Sequence, residues 1–156
     1  MNNEMDDFTS AIGPPNAYGL IQGEANTIIP GKRPLSSMTP TFVFKDGRLV
    51  LMTGSPGGPT IINTVLQIVT NVIDFRMNGQ QAMNAPRISE QWMPDLISYE
   101  LEGMPMATVV ALKAKGHILR WAGPQGDGET IAIDPGSGVL FGASDPRNPD
   151  AAAVGY

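Results

Sequence analysis

The sequence predicts an α/β (α+β) layered sandwich, because β-rich runs stand before, between and after helical ones. Three stretches carry that reading. "TFVFK" and "RLVLMT" flank Asp46-Gly47, the two-residue signal of a tight hairpin. From Thr60 to Met77 the polar residues Asn63, Gln67, Thr70, Asn71 and Asp74 recur at three-to-four spacing, which is the period of a helix. "TIAIDPGSGVLFG" then repeats the hairpin logic near the end of the chain.

In chain order, residues 1–40 are rich in Gly, Pro, Asn and Ser with only short apolar pieces, and they read as ordered loop or a broken sheet edge. The hairpin follows. The helix over 60–77 is expected to bury Ile62, Val65, Leu66, Val69 and Ile73. "QQAMNAPR" predicts a second, short helix that stops before Pro86, because the residue preceding a proline is pushed out of the helical region. "LISYEL" predicts a strand, and Pro105 to Lys115 a helix with proline at its first turn and Gly116 just past its end. No repeat or low-complexity linker interrupts the chain, so residues 1–156 are expected to form one domain.

Composition narrows the function classes. At 156 residues and 42% hydrophobic the chain can bury one sizeable core. Its 15 acidic against 10 basic residues give a net charge of -5, which leaves no electrostatic footprint for nucleic acid or an anionic membrane. No window of about 18 apolar residues occurs, and "MNNEMDDF" carries acids where a signal peptide needs a basic start. With no Cys and a single His117, thiolate and histidine-cluster metal sites are ruled out, and neither a metal nor another cofactor is expected. His117 reads as a plain surface or strand residue. From the residues alone the compartment stays open.

The chemistry-bearing motif is "LMTGSPGGPT", residues 51–60, in which Gly57 and Gly58 stand between a strand and a helix. Such a turn presents unpaired N–H groups at the positive end of a helix dipole, suited to a phosphate, a carboxylate or a developing oxyanion. It can equally be a tight connection and nothing more. The patterns that single out nucleotide phosphates are absent. Twenty residues earlier, "KRPLSSMTP" offers the consecutive hydroxyls of Ser36 and Ser37, which can both donate to one carboxylate or simply form a turn. "NNEMDDF" concentrates Glu4, Asp6 and Asp7, able to hold an ammonium group or to be a solvated end.

Taken together, "NNEMDDF", "PNAYGLIQGEANTI", "GKRPLSSMTPTFVFKDG", "TGSPGG", "NAPR" and "FGASDPR" resemble the small subunit of the gamma-glutamyltranspeptidases, in this order and across nearly the whole chain. The resemblance implies a four-layer αββα sandwich of the N-terminal nucleophile hydrolase type. In that type a precursor cleaves itself and its new N-terminal threonine attacks a gamma-glutamyl compound such as glutathione. It implies that Glu4 and Asp7 hold the glutamyl α-ammonium, that Ser36 and Ser37 hydrogen-bond the α-carboxylate, and that the Gly57 and Gly58 amides form the oxyanion hole. No histidine base is required, since an N-terminal threonine can use its own α-amine.

In the resembled family the threonine precedes the "NN-[QE]-MDDF" segment, so this chain is expected to lack the nucleophile, the first strands of the sandwich and the large subunit with its substrate-binding arginine. A truncation, a split system and a non-catalytic remnant that keeps an amino-acid-binding or structural role are the readings this leaves. The expected partners are a gamma-glutamyl substrate and the large-subunit segment of the same precursor, with self-association through uncovered sheet edges. The resemblance suggests a periplasmic or extracellular location. "GPQGDGETIAI" is more acidic, at Asp127 and Glu129, than the corresponding run of the family.

Overall fold

The computed structural model describes residues 5–156 and divides into two compact units, Met1–Met38 and Thr39–Tyr156. In the first unit side chains do the work that a ladder does elsewhere. Its regular structure is two single 3-10 turns, Met5–Asp7 and Glu24–Asn26, with one parallel bridge between Thr9 and Thr27 and one antiparallel bridge between Pro15 and Ile21. Phe8 and Thr9 are buried; Thr9 N–H donates to Asn26 O at 2.9 Å, its hydroxyl to Gly23 O at 2.8 Å, and Asn26 Nδ2 to Asp7 O at 2.5 Å. Backbone groups that no ladder pairs are satisfied in this way.

The second unit holds two sheets. Strands β1 (Thr41–Lys45) and β2 (Arg48–Gly54) form the expected hairpin, with Asp46 and Gly47 both at positive φ as a primed turn requires. Strands β6 (Glu129–Ile133) and β7 (Leu140–Ser144) form the second hairpin, and β6 pairs β2, giving the antiparallel order β1-β2-β6-β7. A smaller sheet consists of β3 (Ile88–Glu90), β4 (Ile97–Tyr99) and β5 (Leu119–Trp121), with β3 antiparallel and β5 parallel to β4. The three-residue strands β3 and β5 are too short to leave a period in the sequence.

Helix α1 (Ile61–Ile73) and helix α2 (Gly79–Asn84) pack on one face of the larger sheet, around Ile68, Met83 and Ala143. Asn78 opens α2 with a capping box: its side chain accepts from Gln81 N–H, and the Gln81 side chain accepts from Asn78 N–H. The opposite face carries the register row Phe42, Met52, Ile131, and of these Phe42 is 58% exposed. Helix α3 (Met106–Ala114) follows Pro105 and ends just before Gly116 at φ 93°, as the sequence predicts, and it lies against β5. His117 is exposed just beyond it.

The buried face of α1 differs from the expected one. Ile61, Thr64, Val65 and Ile68 point inward, while Ile62 and Leu66 are 68% and 60% exposed. The reason lies in the polar residues assigned to solvent. Gln67 donates through Nε2 to Ile88 O at 2.8 Å and accepts Ile88 N–H at 3.0 Å, and Asn63 Nδ2 donates to Ser89 Oγ at 2.9 Å. Gln67 thus pairs the β3 backbone as a neighbouring strand would, which turns the helix away from the face that hydrophobic periodicity selects. The helix also ends at Ile73 rather than Met77, where Arg76 adopts φ 59° and Met77 N–H returns to Asn71 O.

Four charges join these pieces, with Arg87, Glu100 and Asp145 buried and Arg147 partly so. Arg87 is 2% exposed and lies between α2 and β3; Glu100 follows β4; Asp145 and Arg147 follow β7. Arg87 Nη2 stands 2.6 Å from Asp145 Oδ2 as an ion pair outside hydrogen-bond alignment, and Nη1 donates to Gln125 O at 2.7 Å. The Glu100 carboxylate accepts from Arg87 N–H at 2.8 Å, Gln125 N–H at 2.6 Å, and Arg147 through Nε at 2.7 Å and through Nη2. Asp145 Oδ2 accepts from Gly128 N–H at 2.7 Å and its Oδ1 from Arg147 Nη1 at 2.9 Å. Arg147 also donates to Met83 O and Ala85 O, at the end of α2.

Burial alone would raise both carboxyls, but their donors outweigh it. Glu100 is held below its usual value by Arg147 and by the Arg87 and Gln125 amides. Asp145 is held low by the Gly128 amide, Arg147 and Arg87. A buried pair that loses one member leaves an uncompensated charge, so Arg87→Ala should cost about 3–5 kcal/mol in urea unfolding. A variant as stable as the parent would show that the cluster is not structural. Because both carboxyls are depressed in the folded state, their contribution is complete above the ordinary carboxylate range of about 4 and is lost as pH falls through the lower folded values. Unfolding free energy should therefore fall with acid, and Glu100→Gln should flatten that slope, as measured by urea titration over a pH series.

Candidate functional site

In the first unit, Asp7 ends the Met5–Asp7 turn and is half-buried, and Ser36 and Ser37 are exposed on the segment that leaves the unit. Ser37 Oγ donates to Asp7 Oδ2 at 3.1 Å across thirty residues of chain, and Ser36 Oγ accepts Met38 N–H at 3.3 Å. The fold thus brings one carboxylate and one serine hydroxyl into contact, with a second hydroxyl on the adjacent residue. Asp7 is held from behind by Asn26, whose side chain grips its carbonyl. Glu4 lies outside the described residues.

The arrangement suits a zwitterionic amino-acid group. An α-ammonium and an α-carboxylate sit on the same carbon, so their receptors must be neighbours, with an acid for one and neutral donors for the other. Hydrogen bonds to charged groups are the stronger class, at roughly 1.5–3 kcal/mol each.

In the second unit, β2 runs through Gly54, Ser55 and Pro56 into Gly57 and Gly58, and a 3-10 turn over Gly58–Thr60 leads into α1. Gly57 adopts φ 139°, a region that side chains avoid, and a Cβ there would lie 2.8 Å from Thr60 Oγ1 and 3.3 Å from Gly126 Cα. Thr60 closes the turn twice on Gly57 O, through its N–H at 3.1 Å and its hydroxyl at 2.9 Å. Neither the Gly57 nor the Gly58 amide donates to an acceptor among the turn and side-chain hydrogen bonds of the described residues. Two free N–H groups at the head of a thirteen-residue helix can receive a negative oxygen.

The turn is backed by a stretch whose role sequence reasoning missed. Asp127 N–H donates to Ser55 Oγ at 3.0 Å, and Asp127 Oδ2 accepts from Asn148 Nδ2 at 2.8 Å. The acidic, glycine-rich "GPQGDGE" run was legible as unusual, but nothing in it pointed to the glycine turn. Glu129, next in the run, is raised by partial burial and then by the charges of Asp127 and Asp145. The arginines of "NAPR" and "SDPR", Arg87 and Arg147, carry no local mark of a structural role, and the fold makes them the cations of its charge cluster. Among the described residues no group of three or more His, Cys, Asp or Glu is placed to hold a metal, and no helix is long and apolar enough to cross a membrane.

Comparison with known proteins gives a concordant result. The family model described as gamma-glutamyltranspeptidase matches residues 1–155. The chain is 49% identical over 156 residues to the glutathione hydrolase proenzyme of Escherichia coli (strain K12), covering all of this chain and 27% of that one. It is 42% identical over 151 residues to the glutathione hydrolase proenzyme of Pseudomonas aeruginosa, covering 94% and 27%. The chain therefore spans about a quarter of the length of these curated relatives.

Among solved structures it superposes on the Helicobacter pylori gamma-glutamyltranspeptidase T380A mutant with a TM-score of 0.86 at 47% identity, covering 95% of this chain and 81% of that one. With the Pseudomonas nitroreducens gamma-glutamyltranspeptidase complexed with L-DON the TM-score is 0.83 at 38% identity, covering 100% and 81%. The mixed α/β architecture is accordingly that of an N-terminal nucleophile hydrolase. On the match of the family model along residues 1–155, with this agreement of fold, the chain belongs to the gamma-glutamyltranspeptidase family.

Proposed function

We propose that these 156 residues bind the gamma-glutamyl group and stabilise the oxyanion in gamma-glutamyl transfer or hydrolysis, with glutathione or a related compound as donor. The observation that carries this is the contact of the Ser37 hydroxyl with the Asp7 carboxylate, beside Ser36. It joins the two receptor types that an α-amino-acid end demands. Asp7, with Glu4, takes the α-ammonium, and Ser36 and Ser37 turn their hydroxyl protons to the α-carboxylate. Gly57 and Gly58 present their amides to the oxygen that becomes negative when the gamma-carbonyl is attacked.

In this reading the reacting hydroxyl and its α-amine base are those of the N-terminal threonine that the family resemblance implies. The division of labour follows from the chemistry. Groups that hold the two charges of the amino-acid end act equally on the ground and transition states, whereas oxyanion donors act where charge develops.

The 156-residue chain by itself should not hydrolyse a chromogenic gamma-glutamyl anilide, and turnover abolished by Ser36→Ala would reverse the assignment of the nucleophile. In a protein carrying the full family length, Ser36→Ala combined with Ser37→Ala should raise KM by roughly tenfold or more, on the scale of lost hydrogen bonds to a charged group. Asp7→Ala should act likewise. Gly57→Val should instead lower kcat by about 10²–10³, the scale for a displaced oxyanion donor. Steady-state kinetics separates the two classes, and equal, small effects at Asp7, Ser36 and Gly57 would favour a non-catalytic, structural domain.

A further inference from the structure

The glycine turn does not stand by itself. The stretch Gln125–Gly128 crosses behind it and is fastened at both ends to the buried charges: Gln125 through its N–H to Glu100 Oε1 and its carbonyl to Arg87 Nη1, Gly128 through its N–H to Asp145 Oδ2. Its middle touches the turn. Gly126, at φ 72°, lies so close to α1 and Ser55 that a Cβ would sit 2.5 Å from Thr64 Oγ1 and 3.1 Å from Ser55 Oγ, and its Cα limits the room beside Gly57. Ser55 Oγ is the junction, accepting Asp127 N–H at 3.0 Å while donating to Pro56 O at 2.6 Å, one residue before Gly57. Asn148 holds the Asp127 carboxylate from the far side.

We propose that Ser55 is a positioning residue for the Gly57–Gly58 turn, which it clamps to the Gln125–Gly128 strap through Asp127. The inference rests on reading that turn as the oxyanion site. Oxyanion donors act through preorganisation, so a turn built from glycines needs an external brace to keep its amides aimed. The strap supplies it from a cluster that cannot shift without separating buried charges. Ser55 touches no reacting atom in this scheme; its effect passes through the position of the glycine amides.

Amide hydrogen exchange of the 156-residue chain, followed by NMR, reads the clamp directly. The reporter is the Thr60 amide, which donates to Gly57 O. Ser55→Ala should speed exchange at Thr60 and Asp127 by roughly 5–10-fold, as the loss of one ordinary hydrogen bond predicts, and Ser55→Thr, which keeps the hydroxyl, should restore it. Asn148→Ala loosens the same clamp from outside the turn and should accelerate Thr60 too, which keeps the test open if Ser55→Ala folds poorly.

In the full-length family protein, Ser55→Ala should lower kcat about tenfold at unchanged KM, short of the 10²–10³ for a lost donor, with rescue by Ser55→Thr. Thr60 exchange unchanged in both Ser55→Ala and Asn148→Ala overturns the clamp. Faster exchange with unchanged kcat overturns Ser55 as a positioning residue if Gly57→Val still lowers kcat, and overturns the oxyanion reading of the turn if Gly57→Val leaves kcat unchanged.

Discussion

Everything in the second unit hangs on two arginines and two carboxylates removed from water. Taking charges into a protein interior is unfavourable unless each finds partners, and here both carboxylates and Arg147 find several, whereas the Arg87 guanidinium has one hydrogen bond, to Gln125 O, and the ion pair with Asp145. The partners are drawn from the end of α2, the start of β3, the end of β4, the strap before β6 and the end of β7, so the cluster can be complete in only one arrangement of those elements. Hydrophobic burial supplies much of the driving force in folding, but it is indifferent to small shifts. The charges supply what it lacks, a register between two sheets whose own strands are short.

The same logic explains why polar side chains do ladder work elsewhere. β3 has three residues and too few backbone partners to define its neighbour, and Gln67 supplies a matched acceptor and donor from the helix. In the first unit, Thr9 and Asn26 hold loops that have almost no ladder. A chain of Gly- and Pro-rich connections can be well ordered if its unpaired backbone groups are answered one at a time.

Two polar features outside this cluster are held in different ways. Asp7, half-buried at the end of its turn, meets the exposed Ser37 in a single side-chain hydrogen bond. The glycine turn is the reverse: Thr60 closes it twice on Gly57 O, Gly126 crowds it, and neither glycine amide donates to an acceptor among the turn and side-chain hydrogen bonds of the described residues. Capture of a charged group tolerates adjustment, whereas stabilising a developing charge gains from donors that are already in place.

The sequence by itself determined the hairpins at Asp46-Gly47 and 130–142, the positions of the helices, the glycine turn and, through the order of its motifs, the family. These are local signals: turn residues, proline and glycine stops, and periods that survive in a single segment. Tertiary structure decided which side of α1 is buried, where the chain forms the three-residue strands β3 and β5, and that Arg87, Glu100, Asp145 and Arg147 meet. It also decided that Asp127 backs Ser55 rather than facing solvent. Those outcomes depend on partners separated along the chain, thirteen residues apart for Arg87 and Glu100 and 72 for Ser55 and Asp127. A residue carries no local mark of whether its charge or amide will be answered by such a partner, because burial and pairing arise only once the elements have packed.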